Sequence, residues 1–170
     1  MPTRLWMIED LEPFPDDPQP GDVCTPSTHW TLPDPHLPDS LFTTIPARIE
    51  EVDTARGVER VAYLGSGFTT MVPDHVPGRG DTTLTGALMW DRYLWMDYAT
   101  TPHGTVRVDE RISLARRMVP ARRFVSGWTE LQHTGPVSLH RGRLPVEHGV
   151  VGYVLAVTLW GPDPPVQQPS

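Results

Sequence analysis

The chemistry-bearing side chains of this 170-residue sequence are one cysteine, seven histidines and fourteen arginines, and their spacing limits what they could do. Cys24 could serve as a nucleophile with His29 as base and Asp34 orienting the ring. It lies in a proline-rich stretch, however, with no helix N-terminus or basic neighbour to lower its pKa, so a packing role is expected. Gly65-Ser66-Gly67 lacks the G-x-S-x-G frame that a nucleophile elbow needs between a strand and a helix. Cys24, His29, Asp34 and His36, or His133, His140 and His148, are candidate metal ligands, but neither set has finger or zincin spacing. No metal and no cofactor are expected. A small enzyme with a histidine-containing pocket, drawn from His29, His103 or His133, stands as an alternative that needs two of them within hydrogen-bond reach.

The arginines offer a second chemistry. Arg56 and Arg60 form an R-x-x-x-R pair, and Asp81-Thr82-Thr83-Leu84-Thr85-Gly86 follows 21 residues after Arg60. This constellation resembles the ligand motif of PilZ domains, which bind cyclic diguanylate on a small β-barrel. The resemblance implies that Arg56 and Arg60 grip phosphates and guanine edges while Asp81 and the Gly86 turn hold the other guanine. Thr83 stands where that motif has a smaller residue. The plainer reading is a solvated hairpin and a turn.

A third candidate is aromatic. Trp90, Tyr93, Trp95 and Tyr98 crowd one segment, and Trp6, Trp30, Trp128 and Trp160 lie elsewhere. On a continuous strand from 88 to 98, Trp90 and Tyr98 would face the core while Tyr93 and Trp95 face outward as a protein-binding surface. With no convergent acid and base, the leading expectation is a non-enzymatic protein-binding module, with an acidic inhibitor or immunity-type protein as a special case. It would use Tyr93, Trp95, Arg116, Arg117, Arg122 and Arg123.

Charge is unevenly placed. The formal net charge is −7, and residues 1–46 hold eight acids against Arg4 alone, together with ten of the twenty prolines. Residues 100–144 hold eight arginines against Asp109, Glu110 and Glu130. Complementarity predicts that the acidic segment packs across this basic region. An acidic chain repels polyanions at long range, so a nucleic-acid partner is not expected. Lysine and asparagine are both absent, which points to a GC-rich coding bias behind many of the arginines.

These side chains need a scaffold, and proline at this density excludes a long-helix bundle. Residues 1–46 read as an extended acidic arm rather than a helix or central strand, despite a short strand at 4–8 and an aromatic one at 29–32. Segments 47–53 and 58–64 form a hairpin turning at Thr54-Ala55-Arg56-Gly57, against a competing helix from 46 to 56. Two stretches, 83–94 and 101–112, share the pattern T-x-x-G-x-φ-x-φ-D-x-x-φ and read as neighbouring strands opened by Gly86 and Gly104. Strands are also expected at 119–129 and 149–160, the last apolar on both faces and therefore central. Residues 162–170 read as a disordered tail. The expected fold is mainly β, a small barrel or sandwich over 47–161.

The order of Leu5-Trp6, Gly21-Asp22-Val23, Trp30-Thr31-Leu32, Gly86, Gly127-Trp128 and Val151-Gly152-Tyr153-Val154-Leu155 resembles an uncharacterised family of short actinobacterial proteins. That resemblance implies a fold-sized unit and a bacterial source, without an activity. No secretory leader pattern or membrane-length apolar run is present, so a cytoplasmic location is expected.

Overall fold

In the computed structural model, which describes residues 3–9 and 17–161, the chain is built almost wholly of strands. These are β1 (Arg4–Glu9), β2 (Val23–Cys24), β3 (Thr28–Thr31), β4 (Thr43–Thr54), β5 (Gly57–Gly65), β6 (Phe68–Met71), β7 (Gly80–Trp90), β8 (Thr105–Arg123), β9 (Thr129–His140) and β10 (His148–Trp160). A one-turn helix, α1 (Leu94–Asp97), follows β7.

Pairings β7–β3, β3–β6, β6–β5, β5–β4 and β4–β7 close a five-stranded barrel. From β7 the sheet runs outward through β1, β10 and β8 to β2, and β9 pairs with β8. The barrel follows from period-two patterning. In β4, Ile45, Ala47 and Ile49 are buried while their neighbours face water. Pro46 is accommodated because β5 pairs only with 48–54, so its missing N–H falls on an unpaired edge. The β4–β5 hairpin forms as expected, with Thr54 opposite Gly57.

Trp30 is fully buried, and its indole N–H donates to the Thr85 carbonyl at 3.2 Å. Beside it Gly86 has φ +150°, and a Cβ there would collide with the Thr31 carbonyl oxygen. The glycine is therefore required for the β3–β7 approach.

The outer sheet has two apolar faces. Leu5, Met7, Val106, Val108, Leu155 and Val157 join the barrel interior, whereas Ile8, Ile112, Leu114 and Val154 pack under Leu37, Leu41 and Phe42. Residues 154–159 of β10 are buried, as its apolar run predicts.

Four expectations are corrected. β1 is not peripheral: it lies between β10 and β7, so the acidic segment contributes an interior strand, and β4 spans residue 46. The 88–98 segment is not one strand. β7 ends at Trp90, where the Tyr93 N–H donates to Asp91 Oδ1 (2.8 Å) and bends the chain into α1. Strands β7 and β8, which carry the shared pattern, are separated by β1 and β10 rather than adjacent. Residues 119–129 are not one strand either, since the chain turns at 124–128 between β8 and β9. The 162–170 tail lies outside the described residues.

Candidate protein interface

The predicted contact between acidic segment and arginines is only partly made. Glu9, at the end of β1, is fully buried and accepts hydrogen bonds from Arg92 (2.9 Å) and Arg111 (3.3 Å). Arg111 also binds Asp17 at 2.6 Å and lies 3.8 Å from the Tyr153 ring centroid, while Arg92 stacks 4.3 Å from that of Trp90. A buried carboxylate between two guanidiniums has its charge answered, so this network is structural. Among the described residues, no acid of the first 46 reaches Arg116, Arg117, Arg122 or Arg123.

Those four arginines belong to the β8–β9 ribbon. The half-buried Arg116 donates from Nε to the Gly135 carbonyl at 2.9 Å, and the exposed Arg117 lies 3.7 Å from Glu147. Arg122 stands over the Phe124 ring at 4.7 Å, and Arg123 is exposed. Beyond residue 117, β8 pairs with β9 alone. The tip is a three-residue loop in which Gly127, at φ +89°, closes the turn. The Phe124 N–H donates to the Trp128 carbonyl (2.8 Å), and the Gly127 N–H to the Phe124 carbonyl (3.0 Å).

The tip presents apolar side chains to water. Phe124 is 40% exposed, Leu131 51% and Trp128 76%, and Val125 is fully exposed. In the sequence Trp128 is one of several scattered tryptophans, because a single strand through 119–129 hides the turn. Ser126-Gly127 is the local turn signal. One edge of the ribbon is capped: the Met118 N–H donates to the Glu147 carbonyl and Pro120 has no N–H. Among the described residues β9 pairs with β8 alone, so its outer edge is unpaired, with an irregularity at 135–137 that includes Pro136.

Tyr93 and Trp95 occupy a second surface. With Met96 they stand exposed on the turn and α1, over a small cluster of Val61, Met71 and Leu94. The Arg56 guanidinium donates to the Met96 carbonyl and so fastens this turn to the β4–β5 hairpin. Glu59 fastens the residues after α1, accepting the backbone N–H groups of Ala99 (2.8 Å) and Thr100 (2.7 Å). Burial would push its carboxyl up, but the hydrogen bonds from Thr100 and Ala99 and the Arg56 charge hold it below the usual value. Burial raises the pKa of Tyr98, and the negative field of Asp74, Asp97, Glu59 and Asp91 adds to it.

The residues of the cyclic-dinucleotide motif are not gathered. Arg60 donates to the carbonyls of Pro73, Val76 and Gly78, holding its own loop. Asp81 pairs with Arg48, six positions along β4 from Thr54, which places it about 20 Å from the Arg56 turn at strand rise. Gly86 is packed against β3.

Of the histidines, only His140 and His148 come together among the described residues, with ring centroids 5.9 Å apart and planes at 65°. His103 Nδ1 meets the Gly67 carbonyl at 3.0 Å, and His133 lies on β9 opposite Met118. His140 Nε2 is 2.7 Å from Ser138 Oγ, its neighbour on the same strand face. His29 is half-buried, with Nδ1 3.9 Å from Asp91 Oδ2. Burial lowers its pKa, Asp91 and Asp97 oppose that shift, and His75 reinforces it. Cys24, on β2, pairs with Val106 of β8, whereas His29 pairs with β6 and β7. Among the described residues no group of three or more His, Cys, Asp or Glu could hold a metal ion, and no helix is long and apolar enough to cross a membrane.

Comparisons with family models, curated proteins and solved structures return no match.

Proposed function

We propose that the chain is a protein-binding module that presents the β8–β9 ribbon to an acidic protein surface. The carrying observation is Trp128 at the tip of a two-stranded ribbon, exposed together with Val125, Phe124 and Leu131. Isolated two-stranded ribbons are marginally stable, and clustered exposed aromatics are costly in water, so the arrangement gains from a partner. Residues 116–134 hold four arginines and one acid, Glu130, with Glu147 beside Arg117, and this excess of positive charge favours an acidic partner and steers its approach. The free β9 edge at 129–134 adds backbone donors and acceptors for an extended partner strand.

The probe is a short synthetic peptide alternating glutamate with valine, titrated into the labelled full chain. The expected result is amide shift changes concentrated at 122–134, absent with a lysine–valine peptide. Shift changes there with anionic phosphatidylglycerol vesicles but none with the peptide would replace the protein partner by a lipid surface. No change with either would overturn the reading.

A further inference from the structure

Among the described residues, two clusters of exposed aromatic side chains carry opposite charge. One is the ribbon tip, with Phe124, Val125 and Trp128 between Arg122, Arg123 and the arginines behind them. The other is the turn after β7, where Tyr93, Trp95 and Met96 are exposed and Asp74 and Asp97 lie at the surface. Of the guanidiniums there, Arg92 is bound to Glu9 and stacked on Trp90, and Arg56 donates to the Met96 carbonyl. We propose that the acidic partner of the ribbon is a second copy of this chain, whose 91–98 turn receives the ribbon tip in a head-to-tail contact. This rests on the ribbon being the docking element.

Strand register separates the two surfaces within one molecule. Trp90 pairs with Glu9, Glu9 with Tyr153 and Tyr153 with Ser113, so Ser113 is level with the end of β7 across the sheet. β8 then continues for ten residues to Arg123, about 30 Å at strand rise. A ribbon extended that far cannot bring its tip back onto its own turn, so the complementary surface is reached on another copy. Ribbon against ribbon would oppose arginine with arginine. Made once per pair, a head-to-tail contact leaves one tip and one turn free, so assembly continues beyond a dimer into a ring or filament.

Sedimentation equilibrium tests this with two variants whose changes are all exposed. Arg122→Glu with Arg123→Glu disables the donor surface. Asp74→Lys with Asp97→Lys disables the receiving surface. The wild type should show an average mass rising with concentration beyond twofold, and less so at high salt. Each variant should stay monomeric, and an equimolar mixture should stop at twice the monomer mass. A monomeric wild type, a receiving-surface variant that associates like wild type, or a mixture that stays monomeric would each overturn the proposal. If the wild type is monomeric yet its ribbon still responds to the glutamate–valine peptide, the head-to-tail contact falls and the binding module stands.

Discussion

The Phe124 N–H donates to the Trp128 carbonyl at 2.8 Å, so the two aromatic residues close the β8–β9 turn and both rings leave the fold at its far end. Their backbone holds the tip, while the Trp128 and Val125 side chains bury little. Trp128→Ser and Val125→Asp should therefore change global stability by less than about 0.5 kcal/mol, as surface substitutions do. Thermal unfolding checks this. Gly127→Ala differs, because φ +89° strains a Cβ: it should cost about 1 kcal/mol locally and speed amide exchange at 118–134.

Glu9 is the residue whose loss should hurt most. Removing it takes from Arg92, on the turn after β7, and from Arg111, on β8, both largely buried, the carboxylate that joins them, although Arg111 keeps Asp17. Glu9→Ala should destabilise the chain by about 3–5 kcal/mol in urea unfolding. Replacing all three together, with Glu9→Leu, Arg92→Met and Arg111→Met, should recover most of that loss, since no charge is then stranded.

Two groups predict weakening in acid over separate ranges. His29 has a folded pKa below its ordinary 6.5, so between those values the unfolded chain holds a proton the folded chain does not. Its contribution is full above 6.5 and lost as pH falls through the folded value. Glu59 has a folded pKa below 4.5, and its contribution is full above 4.5 and lost as pH falls further. In stability measured against pH, His29→Gln should flatten only the upper range and Glu59→Gln only the lower. Glu59→Gln should also cost about 1–2 kcal/mol at neutral pH, because the amide serves the Ala99 and Thr100 N–H groups less well.

Local patterning explains which parts of the fold are legible from the sequence. The alternation of Ile45, Ala47 and Ile49, the Gly57 turn and the apolar run ending at Trp160 all reach the core by strand geometry. β1 is legible as a short strand at 4–8, but its place between β10 and β7 is obscured because it adjoins a stretch dominated by acids and prolines. Glu9 has no local signal at all, since Arg92 and Arg111 lie 83 and 102 positions away. Tyr93 and Trp95 stand out by type, yet they are exposed on a turn set by Asp91, not on a strand face. Of the arginines, Arg122 and Arg123 reach the tip, whereas Arg116 is held by its own ribbon.

The binding of a dye-labelled glutamate–valine peptide, followed by fluorescence anisotropy, tests the central claim most directly. Wild type should give a saturating curve, and the Val125→Asp, Trp128→Ser double variant should bind at least about tenfold more weakly with its melting temperature unchanged. Superimposable curves for the two proteins would contradict the assignment of the β8–β9 tip as the binding surface.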